Sequence, residues 1–272
     1  MKKNLTILFS ALTFIYSCSL EKIAVKKTSN IIENGITLIY SDKNVDYIKN
    51  SLPSNLKLME ILYRHSPNPV LLKNLTMGFC GYSFAFYDDL KFERDDFYLK
   101  GIKYSDEYIV RNKLKEKNKL KPIEFDILFW NLFCKSSYID SNRDDINALY
   151  YLNEIEETAN KLYSINPNYF YNSLSTILAS LYSSKPKLAG GDPEKSKKLF
   201  EEAINSENGR KLLINHLFYA KTYSILMLDE ELFDKLIDII LSYRNDNDEL
   251  AFFNQIAKIK AHKLKEKKNE IF

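Results

Sequence analysis

The chain has 272 residues, 45% of them hydrophobic and 28% charged, with a formal net charge of +3. That length is enough for one large core or two modest ones. The near balance of charge argues against nucleic acid as a partner.

The first segment, Met1-Lys2-Lys3 followed by the apolar run from Leu5 to Tyr16, has the basic start and short hydrophobic stretch of a secretory signal. The run is too short to be a stable membrane span. It ends in Ile15-Tyr16-Ser17-Cys18, where a small residue precedes the first cysteine, as in a bacterial lipobox cleaved before Cys18. A plain cleaved signal is the alternative. Residues 1–17 are therefore expected to be a signal peptide, and loss of their two lysines and no acids would bring the net charge from +3 to +1. Residues 18–35 show no strong period and read as a tether from a diacylated cysteine to the folded body at 36–272.

From Val45 onward apolar positions recur at three and four, with hardly any alternation, so the body is predicted to be all-α with about ten helices. The predicted segments are Pro53–His65, Val70–Asp88, Asp95–Lys117, Pro122–Tyr138, Asp144–Tyr163, Asn168–Ser183, Pro193–Ser206, Gly209–Met227, Glu230–Tyr243 and Asp248–Lys267. Short links make successive helices antiparallel neighbours. Cys80 and Cys134 each sit in a strongly apolar stretch, which fits buried free thiols; a disulfide is the alternative in an extracytoplasmic setting.

The sharpest local signal is Leu188-Ala189-Gly190-Gly191-Asp192-Pro193. Gly190 and Gly191 supply the freedom for a reversal, Asp192 is placed to cap, and Pro193 takes the first helical position, where no N–H is missed. A phosphate cradle is the functional reading of two glycines before a helix. No preceding strand, further glycine or Lys-Ser/Thr pair completes that fingerprint.

The second half also repeats. Ala179, Ala220 and Ala257 each sit inside the second helix of a pair, 41 and 37 residues apart, close to the ~34-residue tetratricopeptide period with loop insertions. A helix pair cannot bury its own apolar face, so successive pairs stack and share a core.

Asn166-Pro167-Asn168-Tyr169, the Leu188 to Asp192 stretch, Leu199-Phe200-Glu201-Glu202-Ala203-Ile204 and Phe252-Phe253-Asn254-Gln255-Ile256-Ala257 together resemble the T component of the tripartite ATP-independent (TRAP) transporters, over roughly Leu56 to Leu264. The resemblance implies a tetratricopeptide-like lipoprotein, anchored at Cys18 on the periplasmic side of a bacterial membrane or at the cell surface. It also implies self-association as a trimer and engagement of the substrate-binding P component.

No enzyme, cofactor or metal signature accompanies this pattern. His65, His216 and His262 lie apart, outside any metal spacing or nucleophile motif. Lysine-rich stretches at Lys113–Lys121 and Lys258–Lys268 could touch anionic lipid, although interspersed acids favour an ordinary solvated surface. The 19 tyrosines and 17 phenylalanines suit a groove or subunit interface, with Tyr82, Tyr87, Trp130, Tyr150 and Tyr151 as candidates for it; core packing is the alternative. The function expected is a non-catalytic scaffold that binds a protein partner and guides a small ligand. A surface lipoprotein that meets a host or environmental partner through the same body is the rival reading.

Overall fold

The computed structural model describes the backbone at residues 2–145, 148, 150–245 and 248–272, and side chains from residue 20 onward. Among the described residues the chain is helical without strands, in twelve α-helices, two more than the sequence predicts. They are α1 (Lys2–Tyr40), α2 (Val45–His65), α3 (Pro69–Phe86), α4 (Lys91–Arg111), α5 (Pro122–Ser141), α6 (Leu152–Ile165), α7 (Tyr169–Ser184), α8 (Pro193–Asn205), α9 (Leu213–Phe218), α10 (Glu230–Ser242), α11 (Ala251–Glu266) and α12 (Lys268–Ile271).

Helix starts follow from local chemistry. Asn68 accepts from the Leu71 N–H at 3.0 Å ahead of Pro69. Glu124, three residues into α5, accepts from the backbone N–H of Lys121 at 2.9 Å, and Asp229 accepts from Leu232 at 3.0 Å. Each satisfies a donor that the first turn leaves open. Pro53 is not a helix start as predicted: it lies inside α2, which begins at Val45 with Asn44 as its cap. Likewise α6 starts at Leu152 rather than Asp144, and just ahead of it the Tyr151 N–H donates to the Ala148 carbonyl.

Residues 20–35, read above as a tether, are part of the long helix α1, and their side chains include buried ones. Val25 and Ser29 are buried, as is Ile36 beyond them. Ser29 Oγ accepts from Asn68 Nδ2 at 3.1 Å, and Glu33 pairs with Lys73 on α3. The polar residues that hid the helical period are therefore the ones that dock it. Cys18 lies outside the residues whose side chains are described.

The helices α3, α4 and α5 pack together, with α2 laid on α3. In the second half α7 packs on α8, while α9 and α10 pack on each other and on α11. Ala179, Ala220 and Ala257 are all fully buried, where a methyl group lets neighbouring helices approach. After α9 the chain does not continue as the predicted α-helix to Met227: Tyr219–Ser224 widens into a π-helical turn. Cys80 and Cys134 are joined by a disulfide rather than left as free thiols, with Cα atoms 5.3 Å apart, so α3 and α5 are covalently stapled.

Candidate functional site

A cavity of about 740 Å³ runs between α1, α2, α3, α5, α7 and α11, within the range of small-molecule sites. The α3 contribution is a single helical stripe that includes Asn74, Met77, Gly78, Gly81, Phe84 and Ala85, with Tyr82 beside it. Ile32, Gly35, Ile36 and Ile39 form a matching stripe on α1. Phe129, Trp130 and Phe133 from α5, Phe170 from α7 and Phe252 with Phe253 from α11 give an aromatic wall. The lining includes exposed residues at three places: Leu58 on α2, Arg143 and Asn153 around the start of α6, and the stretch with Pro186 and Ala189 after α7.

Phe170 reaches this wall from an unusual backbone. It begins a run of three left-handed residues, Phe170 (φ 42°), Tyr171 (φ 57°) and Asn172 (φ 61°). Side chains other than glycine resist that region at ~1–2 kcal/mol per residue. Hydrogen bonds hold the run in place. Asn215 Nδ2 donates to the Tyr171 carbonyl at 2.8 Å, Asn172 Nδ2 donates to Asn168 Oδ1 at 3.0 Å, and Ser206 Oγ donates to Asn172 Oδ1 at 2.8 Å. As a result the Phe170 ring sits 5.0 Å from Trp130 and 5.8 Å from Phe253. Strain concentrated beside a cavity is a mark of a site whose shape is being held.

The charged groups in the lining are all matched. Asp140 accepts from Arg143 Nη2 at 2.7 Å and also pairs with Lys221, carried by the π-helical turn. Burial opposes ionisation of Asp140, but the Lys221 and Arg143 charges outweigh it and hold the pKa down at about 2. Lys185 pairs with Glu156. The polar groups without a protein partner are neutral: both amide atoms of Asn74 and the hydroxyl of Ser136. Tyr40 at the end of the α1 stripe donates to Met77 Sδ at 3.0 Å, and burial first, then the Glu33 charge, raises its pKa.

The five aromatic residues singled out from sequence do not form one surface. Tyr82 and Trp130 are buried in the cavity wall. Tyr87 stacks edge-on against Tyr82 at 5.2 Å, and burial followed by the Tyr87 neighbour pushes the Tyr82 phenol up to about 12. Tyr151 packs beneath Lys135, whose Nζ is 5.0 Å from the ring, while Tyr150 is exposed. At the Gly-Gly turn, Gly190 is left-handed at φ 88° and Asp192 accepts from the Lys195 N–H at 3.0 Å. A Cβ on Gly191 would lie 1.9 Å from the Lys185 carbonyl oxygen, so the glycine there permits backbone contact.

The histidines are separate. His65 meets Glu21 at 2.9 Å on the surface, His262 is exposed, and His216 is buried, which lowers its pKa to about 4. No His/Cys/Asp/Glu group among the described residues has a metal-holding arrangement. Lysines of α11 and α12 are engaged with acids: Lys260 with Asp88, Lys263 with Asp89, Lys265 with Asp238 and Lys268 with Asp234. Asn74, Gly35, Gly81 and Phe170 escaped the sequence reading; two glycines within otherwise regular helices were the available signal.

Helix pairs stacked into an all-α, disulfide-stapled body around an apolar cavity define a tetratricopeptide-like helical protein. More particularly, the chain belongs to the TRAP transporter T-component family, whose model matches residues 41–272. Comparison with curated proteins gives no match. Family membership makes this chain a component of TRAP transport, in an accessory role. Among the described residues, no helix is long and apolar enough to cross a membrane.

Proposed function

We propose that the protein is a lipid-anchored, non-catalytic adaptor which receives an apolar small molecule in its cavity and presents it to the substrate-binding P component of a TRAP system. Cleavage before Cys18 and acylation of its thiol would hold the body on the periplasmic side of the membrane or at the cell surface. Self-association as a trimer follows from the family resemblance. The observation that carries the ligand reading is the cavity of about 740 Å³, walled by aromatic and aliphatic side chains, with its charges already paired. A run of three left-handed residues is a costly feature to maintain beside a space with no occupant.

Co-expression of the full chain with the P component from the same source, followed by affinity capture on the P component and light scattering of the eluate, tests the adaptor role. The expected result is a stoichiometric complex containing three copies of this chain. Capture of neither partner by the other, with both folded, would remove the P component from the proposal. Labelling with a palmitate analogue tests the anchor: Cys18→Ala should lose the label.

A further inference from the structure

We infer that the cavity takes a single-chain amphiphile, its hydrocarbon lying along the Gly35 and Gly81 stripes and its uncharged, hydrogen-bonding head held by Asn74. This rests on the cavity being a ligand site, and adds the ligand's class and the residues that select it.

Asn74 carries the head assignment. It is 2% exposed, lines the cavity, and neither its amide nitrogen nor its amide oxygen has a protein partner. A buried amide left in that state is destabilising, whereas an apolar residue of similar shape would be neutral or better. An amide both donates and accepts, so it matches a group that does the same: a hydroxyl or a primary amide. A charged head has no such match. The lining's ionic groups, Asp140, Arg143 and Lys185, each already face an opposite charge.

The glycines carry the chain assignment. Most glycines here are needed for close packing: a Cβ on Gly101 would lie 2.3 Å from Cys80 Sγ, and one on Gly78 would lie 2.4 Å from Leu56 Cδ2. Gly35 and Gly81 differ, because a Cβ on either meets nothing within 4 Å. Both sit inside helices, where glycine is disfavoured relative to alanine, and both line the cavity. No turn or packed neighbour explains them. What they leave is width, between Ile32 and Ile39 on α1 and between Met77 and Ala85 on α3, enough to pass a linear chain.

Trp130 is the sole tryptophan and lies in the wall, so its fluorescence reports occupancy. The full chain is placed with phosphatidylcholine vesicles and titrated with 12-bromododecan-1-ol, a quencher bearing the hydroxyl head, and with 1-bromododecane, which lacks it. The alcohol should quench saturably. Asn74→Leu should raise its half-saturating concentration on the order of tenfold, the loss of one good hydrogen bond, and leave the bromoalkane unchanged. Gly81→Leu should abolish quenching by both probes while the melting temperature holds or rises, which separates a filled cavity from an unfolded chain. Equal alcohol affinity in wild type and Asn74→Leu overturns the head assignment and leaves the cavity as a ligand site. Unchanged quenching in Gly81→Leu overturns the chain path. Absence of quenching by either probe in wild type overturns this inference and the ligand reading of the cavity together.

Discussion

The disulfide between Cys80 and Cys134 ties α3 to α5 directly behind two walls of the cavity, with Gly101 of α4 laid against the sulfur atoms. The bond closes a loop across a sequence separation of 54 residues, for which the chain-entropy model gives about 4 kcal/mol. Replacing both cysteines by alanine should therefore lower unfolding free energy by roughly 2–4 kcal/mol. Urea titrations of wild type with and without dithiothreitol should reproduce the difference. An unchanged midpoint on reduction would mean that helix packing alone fixes these two walls.

Glycine positions in adjacent helices should respond with opposite signs. Gly101→Ala forces a methyl group into Cys80 Sγ and should cost about 1–3 kcal/mol through overpacking. Gly81→Ala has open space and should gain about 0.5–1 kcal/mol from helix propensity. Thermal unfolding of the two variants side by side decides this. Equal destabilisation would contradict the space found at Gly81.

The helices with a written punctuation mark were legible in the sequence: Pro122, Pro193 and Glu230 begin their helices where the pattern places them. The first of the three repeat alanines, Ala179, lies in the regular part of α7 beyond its left-handed run, yet Ala220 lies in a π-helical turn. Periodicity gives no warning of that, because a π-turn inserts its extra backbone without altering which residues are apolar. The same blindness hid the cavity. A stripe such as Met77, Phe84 and Ala85 reads as core whether it meets another helix or a void. The helical course of residues 20–40 was hidden differently, since Ser29 and Glu33 make polar contacts where an apolar stripe was sought.

Between Lys185 and Asp192 the two glycines should fail for different reasons. Gly190→Ala pays for φ near 88° and should cost on the order of 1–2 kcal/mol. Gly191→Ala drives Cβ toward the Lys185 carbonyl, a backbone group that cannot rotate away, and should cost more. Asp192→Ala loses the bond to the Lys195 N–H, worth about 1 kcal/mol. Melting temperatures with and without added phosphate read all three; a phosphate-dependent rise confined to wild type would reopen the anion-site reading of this turn.

His216 gives the fold a pH dependence of predictable sign. Burial lowers its pKa from 6.5 to about 4, so the unfolded state binds the proton first. Its contribution is complete above the unfolded value and is lost as pH falls toward 4, about 3 kcal/mol in all. Wild type should lose stability between pH 6.5 and 4, and His216→Leu should flatten that slope. Below it, Asp140, held down at about 2 by Lys221 and Arg143 against the effect of burial, adds a second loss as pH falls from 3.8. Parallel wild-type and His216→Leu slopes between pH 6.5 and 4 would show that the imidazole stays accessible to protons in the native state.

Asn215 holds the strained wall. Besides donating to the Tyr171 carbonyl it donates to Gly209 at 3.0 Å and accepts from Thr176 Oγ1 at 2.8 Å, all within a buried position. Asn215→Ala leaves those groups unpaired and should cost roughly 1–3 kcal/mol. If its main work is to keep Phe170 against Trp130, the loss should extend beyond stability. The three left-handed residues are then free to relax to ordinary helix, which carries the Phe170 ring off the wall. Near-ultraviolet circular dichroism of Trp130 should change, and quenching by 12-bromododecan-1-ol should weaken, at a temperature where the variant remains folded by far-ultraviolet dichroism. Phe170→Leu serves as the comparison, since it alters the wall without releasing the backbone. Lowered stability in Asn215→Ala with the Trp130 signal and quenching intact would make this hydrogen-bond set a fold determinant that the cavity does not depend on.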